Sequence, residues 1–206
     1  MANILIYLAH PNPESLNGVT AERLAEALRR AGHGVTLRDL YQLDFDPRLS
    51  LRDLQLTASG EVVPEVRAEQ AAIAAADGLV FVYPVWWWGR PAILKGFVDR
   101  VFTKGFAWDY GEQGLIGKLA GKRVFIAATH GASHELYRQL GTDPEHLHDP
   151  LTLGSLRFCG VGNTRICATY EVPMYASDAV SPHPERAVAG ALAFFTNPDP
   201  VAADQL

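Results

Sequence analysis

The chain has 206 residues, of which 48% are apolar and 20% are charged, a balance typical of a globular protein with a full hydrophobic core. The net charge of −5 and the scatter of the basic residues argue against a nucleic-acid-binding protein, which would carry a basic patch. Two cysteines, Cys159 and Cys167, are too few for a disulfide framework or a zinc module, and we expect both to be buried thiols.

The apolar run at the N-terminus has no basic region before it and no cleavage site after it. We therefore interpret it as a first strand and not as a signal peptide. No apolar run approaches the length of a membrane span. We expect a cytoplasmic protein with one domain over 1–196 and a loosely ordered tail over 197–206.

Short apolar runs alternate with longer amphipathic segments along the chain. In chain order, we predict a strand at 3–9, a helix at 16–31, a strand at 35–40, an irregular polar segment at 41–64, a helix at 65–76, a strand at 79–83, a helix at 91–102, a glycine-rich excursion at 105–119, a strand at 123–129, a long loop, a helix at 151–159, a strand at 165–170 and a helix at 184–195. This alternation predicts an α/β fold: a doubly wound, five-stranded parallel sheet in the order 2-1-3-4-5, with helices on both faces. In such a sheet, ligands bind at the turns after strands 1, 3 and 4.

The turn after the third predicted strand contains three adjacent tryptophans, Trp86, Trp87 and Trp88. That much aromatic surface beside a ligand crevice indicates a flat, partly apolar ligand, for which a flavin is the best candidate. The alternative is that the rings belong to the core or to a dimer interface. Because three adjacent rings cannot all face one direction, we expect at least one of them to be ordinary packing.

The turn after the first predicted strand carries polar groups that suit an anion. Ser15 is a predicted helix N-cap, and the N–H groups of a helix N-terminus form a ready anion site. His10 and Asn17 could add hydrogen bonds to a phosphate. The turn lacks the glycine spacing of the dinucleotide and P-loop motifs, so those folds are disfavoured. The alternative is a capped loop with a surface histidine.

The turn after the fourth predicted strand begins T-H-G-A-S-H-E-L-Y (129–137). Gly131 allows the backbone to approach a planar ligand closely. Thr129 and His130 supply polar groups, and Tyr137 could hydrogen-bond the charge that develops on a flavin during its reduction. The alternative is that Tyr137 is an ordinary half-buried tyrosine.

Together these segments resemble the flavodoxin-like NAD(P)H:quinone oxidoreductase family, of the DT-diaphorase and modulator-of-drug-activity type. The similar segments are A-H-P-x-x-x-S-x-N (9–17), D-L-Y (39–41), P-V-W-W-W-G-R-P-A-I-L-K-G-F-V-D-R-V-F (84–102), G-F-A-W-D-Y (105–110), T-H-G-A-S-H-E-L-Y (129–137) and F-C-G (158–160). They occur in the family's order, and 84–102 is the most specific. The resemblance implies a flavodoxin-like fold and a homodimer that uses NAD(P)H and a bound flavin to reduce quinones, or other planar acceptors, by two electrons in ping-pong steps.

The resemblance also implies three groups of flavin-binding residues. They are His10, Ser15, Leu16 and Asn17 for the phosphate and ribityl end; Pro84, Val85, Trp86, Trp87, Trp88 and Gly89 for the isoalloxazine; and Thr129, His130, Gly131 and Tyr137 for its pyrimidine edge. Tyr137 and His130 would be catalytic, with Tyr137 stabilising the charge of the reduced flavin. Trp108 and Tyr110 would line the substrate pocket from across the dimer interface.

Two departures from the family pattern bear on these expectations. Long members carry a histidine six residues after the tyrosine, where this chain has Asp143, and His146 and His148 lie nearby but out of register. Long members also have a C-terminal region, absent here, that helps to hold the adenylate half of FAD. We therefore expect FMN, with FAD possible.

Other functions remain open on the sequence alone. The pairs His130-x-x-x-His134 and His146-x-His148 have no clear third ligand, so we expect no metal site. A serine hydrolase would need G-x-S-x-G, and Glu135 occupies the second glycine position. An FMN-dependent azo- or nitroreductase is the alternative enzyme. A flavin-bearing ancillary subunit of a potassium-efflux system is the alternative that is not an enzyme.

Overall fold

The computed structural model describes residues 1–173 and 182–196. In chain order its elements are β1 (Asn3–Leu8), α1 (Leu16–Arg30), β2 (Gly34–Asp39), α2 (Leu51–Ala58), α3 (Pro64–Ala75), β3 (Gly78–Val85), α4 (Ala92–Val101), β4 (Trp108–Gly111), β5 (Gly114–Gly117), β6 (Arg123–His130), α5 (His134–Gln139), a 3₁₀ helix (Pro144–His148), α6 (Asp149–Leu151) continued by a π-helical stretch (Thr152–Arg157), β7 (Asn163–Thr169) and α7 (His183–Thr196). The predicted tail at 197–206 lies outside the described residues. In the described part of the chain, no helix is long and apolar enough to cross a membrane.

Five strands form one parallel sheet in the order β2-β1-β3-β6-β7. Because β6 and β7 are the fourth and fifth strands of this sheet along the chain, the predicted order 2-1-3-4-5 is confirmed. The order reverses between β1 and β3, so the carboxyl ends of β1, β3 and β6 meet at one edge of the sheet.

The central strand β3 is buried along its whole length, and its side chains alternate between two hydrophobic clusters. Phe81 and Tyr83 face the cluster that includes α3 and α4, whereas Val82 faces the cluster that includes α1 and α7. The same alternation in β6 directs Thr129 towards α1, where it meets Asn17, and His130 towards the opposite face, on the same side of the sheet as Tyr83. The two faces of the sheet therefore present different polar groups at its carboxyl edge.

The prediction that 41–64 is irregular is wrong, because α2 lies within it. Its start is a capping box, in which Ser50 and Asp53 each bond the other's backbone N–H. Asp53 is also the buried member of α2, and it forms an ion pair with the buried Arg100 of α4. Arg100 bonds Glu65 and the carbonyl of Asp46 as well, so one side chain joins α2, α3 and the preceding loop to α4.

The later part of the chain also contains more regular structure than its glycines and prolines predicted. The excursion at 105–119 contains an antiparallel hairpin of β4 and β5. The long loop after β6 contains α5 and the 3₁₀ helix, and the predicted helix at 151–159 is mostly π-helical. These elements are too short to show the periodicity from which a helix or strand is predicted.

Candidate active site

A cavity of ≈ 420 Å³ lies at the carboxyl edge of the sheet, where the turns after β1, β3 and β6 meet. Its volume is in the usual range for small-molecule sites. The residues that line it are His10, Asn12, Glu14, Ser15, Leu16, Asn17, Pro84, Val85, Trp86, Thr129, Gly131, Val172 and Pro173. All three turns that the sequence predicted to bind a ligand therefore contribute to one cavity.

The turn after β1 is held by its own hydrogen bonds. Ser15 caps α1, because its hydroxyl accepts the N–H of Gly18 at 3.2 Å, as predicted. Asn12 accepts the N–H of Glu14 at 2.9 Å, and its own N–H lies 3.0 Å from His10 Nδ1. A side chain at Gly18 would place its Cβ 1.8 Å from the carbonyl oxygen of Pro13, so only glycine fits there. The first turn of α1 is thus fixed in direction towards the cavity.

The turn after β3 is a tight two-residue turn with unusual occupants. The N–H and carbonyl of Trp86 exchange hydrogen bonds with those of Gly89 at 2.9 and 3.1 Å. Trp87 and Trp88 occupy its two central positions with φ of 48° and 65°, a left-handed conformation that costs a bulky residue about 1–2 kcal/mol. The three rings diverge, as expected: Trp86 lines the cavity, Trp87 is fully exposed and Trp88 packs on Tyr137.

The turn after β6 is tied to the turn after β1 by one buried contact. The side-chain amide of Asn17 donates to the Thr129 hydroxyl at 3.0 Å, across 112 positions of sequence. Gly131 follows, and among the described residues a Cβ built there would meet nothing closer than the carbonyl oxygen of Val172 at 3.7 Å. No atom of the described residues therefore requires glycine at 131, and the space beside its backbone opens to the cavity.

A buried chain of polar side chains lies behind the cavity. The Tyr83 hydroxyl lies 3.0 Å from His148 Nδ1, and His148 Nε2 lies 3.3 Å from His130 Nε2. His130 Nδ1 in turn lies 3.3 Å from the Tyr137 hydroxyl. Burial lowers the pKa of His130 to about 3 and that of His148 to about 4, so both imidazoles are neutral at pH 7. Burial also raises the pKa of Tyr137, which keeps its proton.

The predicted site residues fall into four sets by position. Those that line the cavity are His10, Ser15, Leu16, Asn17, Pro84, Val85, Trp86, Thr129 and Gly131. His130 and Tyr137 are buried in the polar chain, and Trp87, Trp88 and Gly89 form the rest of the tryptophan turn. Trp108 and Tyr110 lie apart on the β4–β5 hairpin, where the Trp108 ring packs edge-on against Tyr110 and Phe158.

Several residues of the site were not predicted from the sequence. Tyr83 could have been found, because it lies two residues before Val85, on the same face of β3 and opposite β6. His148 carried no such signal, since it reaches His130 from a 3₁₀ helix whose position depends on tertiary packing. The sequence left open whether His148 could pair with Tyr137. In the structure His148 contacts His130, and His130 contacts Tyr137, so the pairing is indirect.

The structure also places the residues of the two other chemistries that the sequence raised. Among residues 1–173 and 182–196, no group of three or more histidine, cysteine or acidic residues is arranged to hold a metal ion. The Ser133 hydroxyl accepts the N–H of Leu136 at 3.0 Å as the N-cap of α5. A serine in that role is a structural helix cap.

Comparison with known families agrees with this architecture. A family model described as a flavodoxin-like fold matches residues 2–193, which defines the chain as a flavodoxin-like α/β protein. The human ribosyldihydronicotinamide dehydrogenase (quinone) is 34% identical over 176 residues, with 76% of each chain covered. The chain belongs to the flavodoxin-like NAD(P)H:quinone oxidoreductase family, and the resemblance drawn from its motifs is confirmed.

Two solved structures are similar along most of their length. The NAD(P)H:quinone oxidoreductase from Methanothermobacter marburgensis superposes with a TM-score of 0.79 at 28% identity, covering 92% of this chain and 96% of the other. General stress protein 14 from Treponema denticola, solved in complex with FMN, gives a TM-score of 0.64 at 26% identity, with coverage of 94% and 98%. The likeness thus extends over nearly the whole chain in both comparisons.

Proposed function

We propose that the protein is a flavin-dependent NAD(P)H:quinone oxidoreductase. The observation that carries this proposal is the cavity itself, since its three walls are the three turns at which doubly wound folds bind nucleotides. Its relatives named for quinone reduction support the same reaction class. The hydride donors to compare are NADH, NADPH and ribosyldihydronicotinamide. One relative is named for NAD(P)H and another for ribosyldihydronicotinamide.

The wall formed by the turn after β1 fits the phosphate and ribityl end of a flavin. The Ser15-capped N-terminus of α1 points backbone N–H groups and the positive end of the helix dipole at the cavity. Ser15 and Asn17 add a hydroxyl and an amide at the same end. His10 is neutral there, because burial lowers its pKa, and it contributes hydrogen bonds and not charge.

The other two walls fit a flat aromatic ring. Pro84, Val85 and Trp86 form an apolar side, and the open space beside Gly131 admits a planar group against the backbone. A bound flavin would supply the redox chemistry, by accepting a hydride from the nicotinamide and passing one to the quinone. The protein orients the ring, excludes water and, through Tyr137, holds a proton near its polar edge.

We infer FMN as the flavin, with FAD as the alternative. The similarity to a protein solved with FMN supports this choice. The first turn of α1, capped by Ser15, offers one helix N-terminus to a phosphate, and FMN carries one phosphate. Both cysteines are free thiols, which suits a reducing compartment and supports a cytoplasmic location.

We propose that the working form is a homodimer in which each chain completes the site of its partner. Trp108 and Tyr110 do not line the cavity of their own chain. Tyr110 and Phe158 flank the Trp108 ring and are 63% and 38% exposed, so these rings form an aromatic surface, and Trp87 is fully exposed. A second copy would cover these rings and bring Trp108 and Tyr110 over the flavin, where a quinone could stack.

The deciding experiment is an anaerobic absorbance spectrum of the purified protein before and after NADPH is added. Bound flavin whose bands bleach on addition and return with a quinone supports the proposal, and chromatography of the released cofactor separates FMN from FAD. Double-reciprocal plots should be parallel, since nicotinamide and quinone use one site in turn. A protein that takes up neither flavin contradicts the proposal.

The same preparation separates the alternatives. Faster turnover with azo dyes or nitroaromatics than with any quinone would indicate an azo- or nitroreductase. Flavin that is bound but never turns over with any acceptor, together with binding to a potassium-efflux transporter, would indicate an ancillary subunit. Sedimentation analysis with and without FMN tests the dimer, and a monomer at full activity would exclude a site shared between two chains.

A further inference from the structure

The buried polar chain behind the cavity connects four side chains from four different elements. Tyr83 comes from β3, His148 from the 3₁₀ helix, His130 from the end of β6 and Tyr137 from α5. Three contacts of 3.0, 3.3 and 3.3 Å join them in that order. Tyr83, His130 and His148 are at most 2% exposed, so bulk water does not compete for these hydrogen bonds.

The protons in this chain can be arranged in only two ways. Each neutral imidazole carries one ring proton, and the contact between the two Nε2 atoms needs one proton between them. If His148 donates there, its Nδ1 accepts from Tyr83, and His130 donates from Nδ1 to the Tyr137 oxygen. If His130 donates instead, the direction of every hydrogen bond reverses, and the Tyr137 hydroxyl must donate to His130 Nδ1.

The two ends of the chain decide between these arrangements. A phenol hydroxyl donates to an imidazole nitrogen more strongly than an imidazole N–H donates to a phenol oxygen, so the two tyrosines compete for the donor role. Tyr83 has the shorter contact, 3.0 Å against 3.3 Å. Burial raises the pKa of Tyr83, so acidity gives this hydroxyl no advantage, but the neighbouring Arg90 cation favours a Tyr83 oxygen that keeps its lone pairs for the cation and its proton for His148. Tyr83 and Arg90 line the same small cavity of ≈ 180 Å³.

We propose that Tyr83, His148 and His130 form a hydrogen-bond chain of fixed direction that makes Tyr137 a hydrogen-bond donor. In this arrangement the Tyr137 oxygen accepts a bond from His130, and its own proton is left for an acceptor outside the chain. Accepting a hydrogen bond also makes a hydroxyl a stronger donor. Tyr83, His148 and His130 are then positioning residues, and their importance for catalysis rests on the proposed flavin-dependent function.

The direction of the hydrogen-bond chain can be measured from the imidazole tautomers by ¹⁵N NMR on the whole protein as purified. We expect His130 to carry its proton on Nδ1 and His148 on Nε2, with the two rings assigned through His130→Gln and His148→Gln. Tyr83→Phe removes the donor at one end, so both tautomers should reverse. Tyr137→Phe removes only the acceptor at the other end, so both should stay as they are.

Tyr7→Phe is the matched control for the loss of a buried tyrosine hydroxyl. Tyr7 is fully buried on β1 and bonds Glu69 at 2.9 Å, away from the chain, so its removal should leave both tautomers unchanged. A wild-type His130 with its proton on Nε2 would overturn the proposal. Tautomers that do not respond to Tyr83→Phe would overturn it as well.

A kinetic measurement tests whether the chain acts through Tyr137. Tyr83→Phe and Tyr137→Phe should each slow reduction of the bound flavin by NADPH about tenfold. The double variant should be no slower than Tyr137→Phe alone, whereas effects that multiply would contradict the proposal. If the protein binds no flavin, the proposed function fails, and the tautomers alone still decide the direction of the chain.

Discussion

The turns after β1 and β3 border the same cavity but are stabilised in opposite ways. The turn after β1 satisfies its polar groups internally, through the Ser15 cap and the contacts of Asn12 and His10. The turn after β3 holds Trp87 and Trp88 in a left-handed conformation and leaves Trp87 fully exposed. The turn after β1 is therefore already shaped for a small charged group before any ligand binds. The stability of the turn after β3, in contrast, depends on the surface that later covers Trp87.

The largest effect should come from removing the polar groups of the first turn. The double variant Ser15→Ala/Asn17→Ala loses a helix cap and a buried hydrogen bond, so we expect the Kd for FMN to rise ~100-fold. Fluorescence titration with FMN measures it. Ser50→Ala is the matched control, because it removes the cap of α2 without touching the cavity. FMN affinity unchanged in the double variant would mean that this turn does not hold the phosphate.

A second effect should arise from the histidines behind the ring end of the cavity. An unfolded histidine titrates near pH 6.5, whereas burial lowers the pKa of His148 to about 4 in the folded protein. Between these values the unfolded state binds more protons, so the free energy of unfolding falls as the pH drops. When the pH drops from 7 to 5, the free energy of unfolding should fall by ~2 kcal/mol less in His148→Gln than in the wild type.

Urea unfolding at the two pH values measures this difference. His146→Gln is the control, since His146 lies two residues away but is exposed, with its pKa raised by Asp149. In His146→Gln the buried histidines should still lower the free energy of unfolding at acid pH, as they do in the wild type. Equal acid losses in His148→Gln and the wild type would show that His148 is already charged in the folded protein.

The smallest effect concerns the strain of the second turn. Asparagine adopts the left-handed conformation more readily than tryptophan, so Trp87→Asn should raise the free energy of unfolding by ~1 kcal/mol. Urea unfolding of the isolated chain tests this, with Trp86→Asn as a comparison at a position without a positive φ. A destabilised Trp87→Asn would mean that the exposed ring contributes contacts that outweigh the strain.

The sheet was predictable from the sequence because its signals are local. The strand β3 is buried on both faces and therefore appears as an unbroken apolar run, and the helices between strands show an apolar stripe. The capping box of α2 was visible as Ser50 and Asp53, yet the prolines around it and the exposed Leu51 and Leu54 hid the helix. Helices that bury little apolar surface give a weak periodic signal.

The cavity was predictable for a different reason, since the strand order alone brings three turns to one edge. Ser15, Asn17, Thr129 and Gly131 follow directly from that order. The contact between His148 and His130 does not, because it depends on how the irregular segment after α5 folds back over β6. Spacing from Tyr137 was a poor guide, since the partner of that tyrosine precedes it by seven residues.

The Arg100 cluster has a consequence for how this architecture tolerates change. Asp53 is the one buried residue of α2, and it meets the buried Arg100 guanidinium. The loop before α2 is held by packing as well, because the buried Phe45 contacts Phe97 and lies under Arg100. Substitutions on the exposed face of α2 should therefore be tolerated, whereas loss of Asp53 or Phe45 would leave the buried Arg100 charge poorly matched and should destabilise the fold.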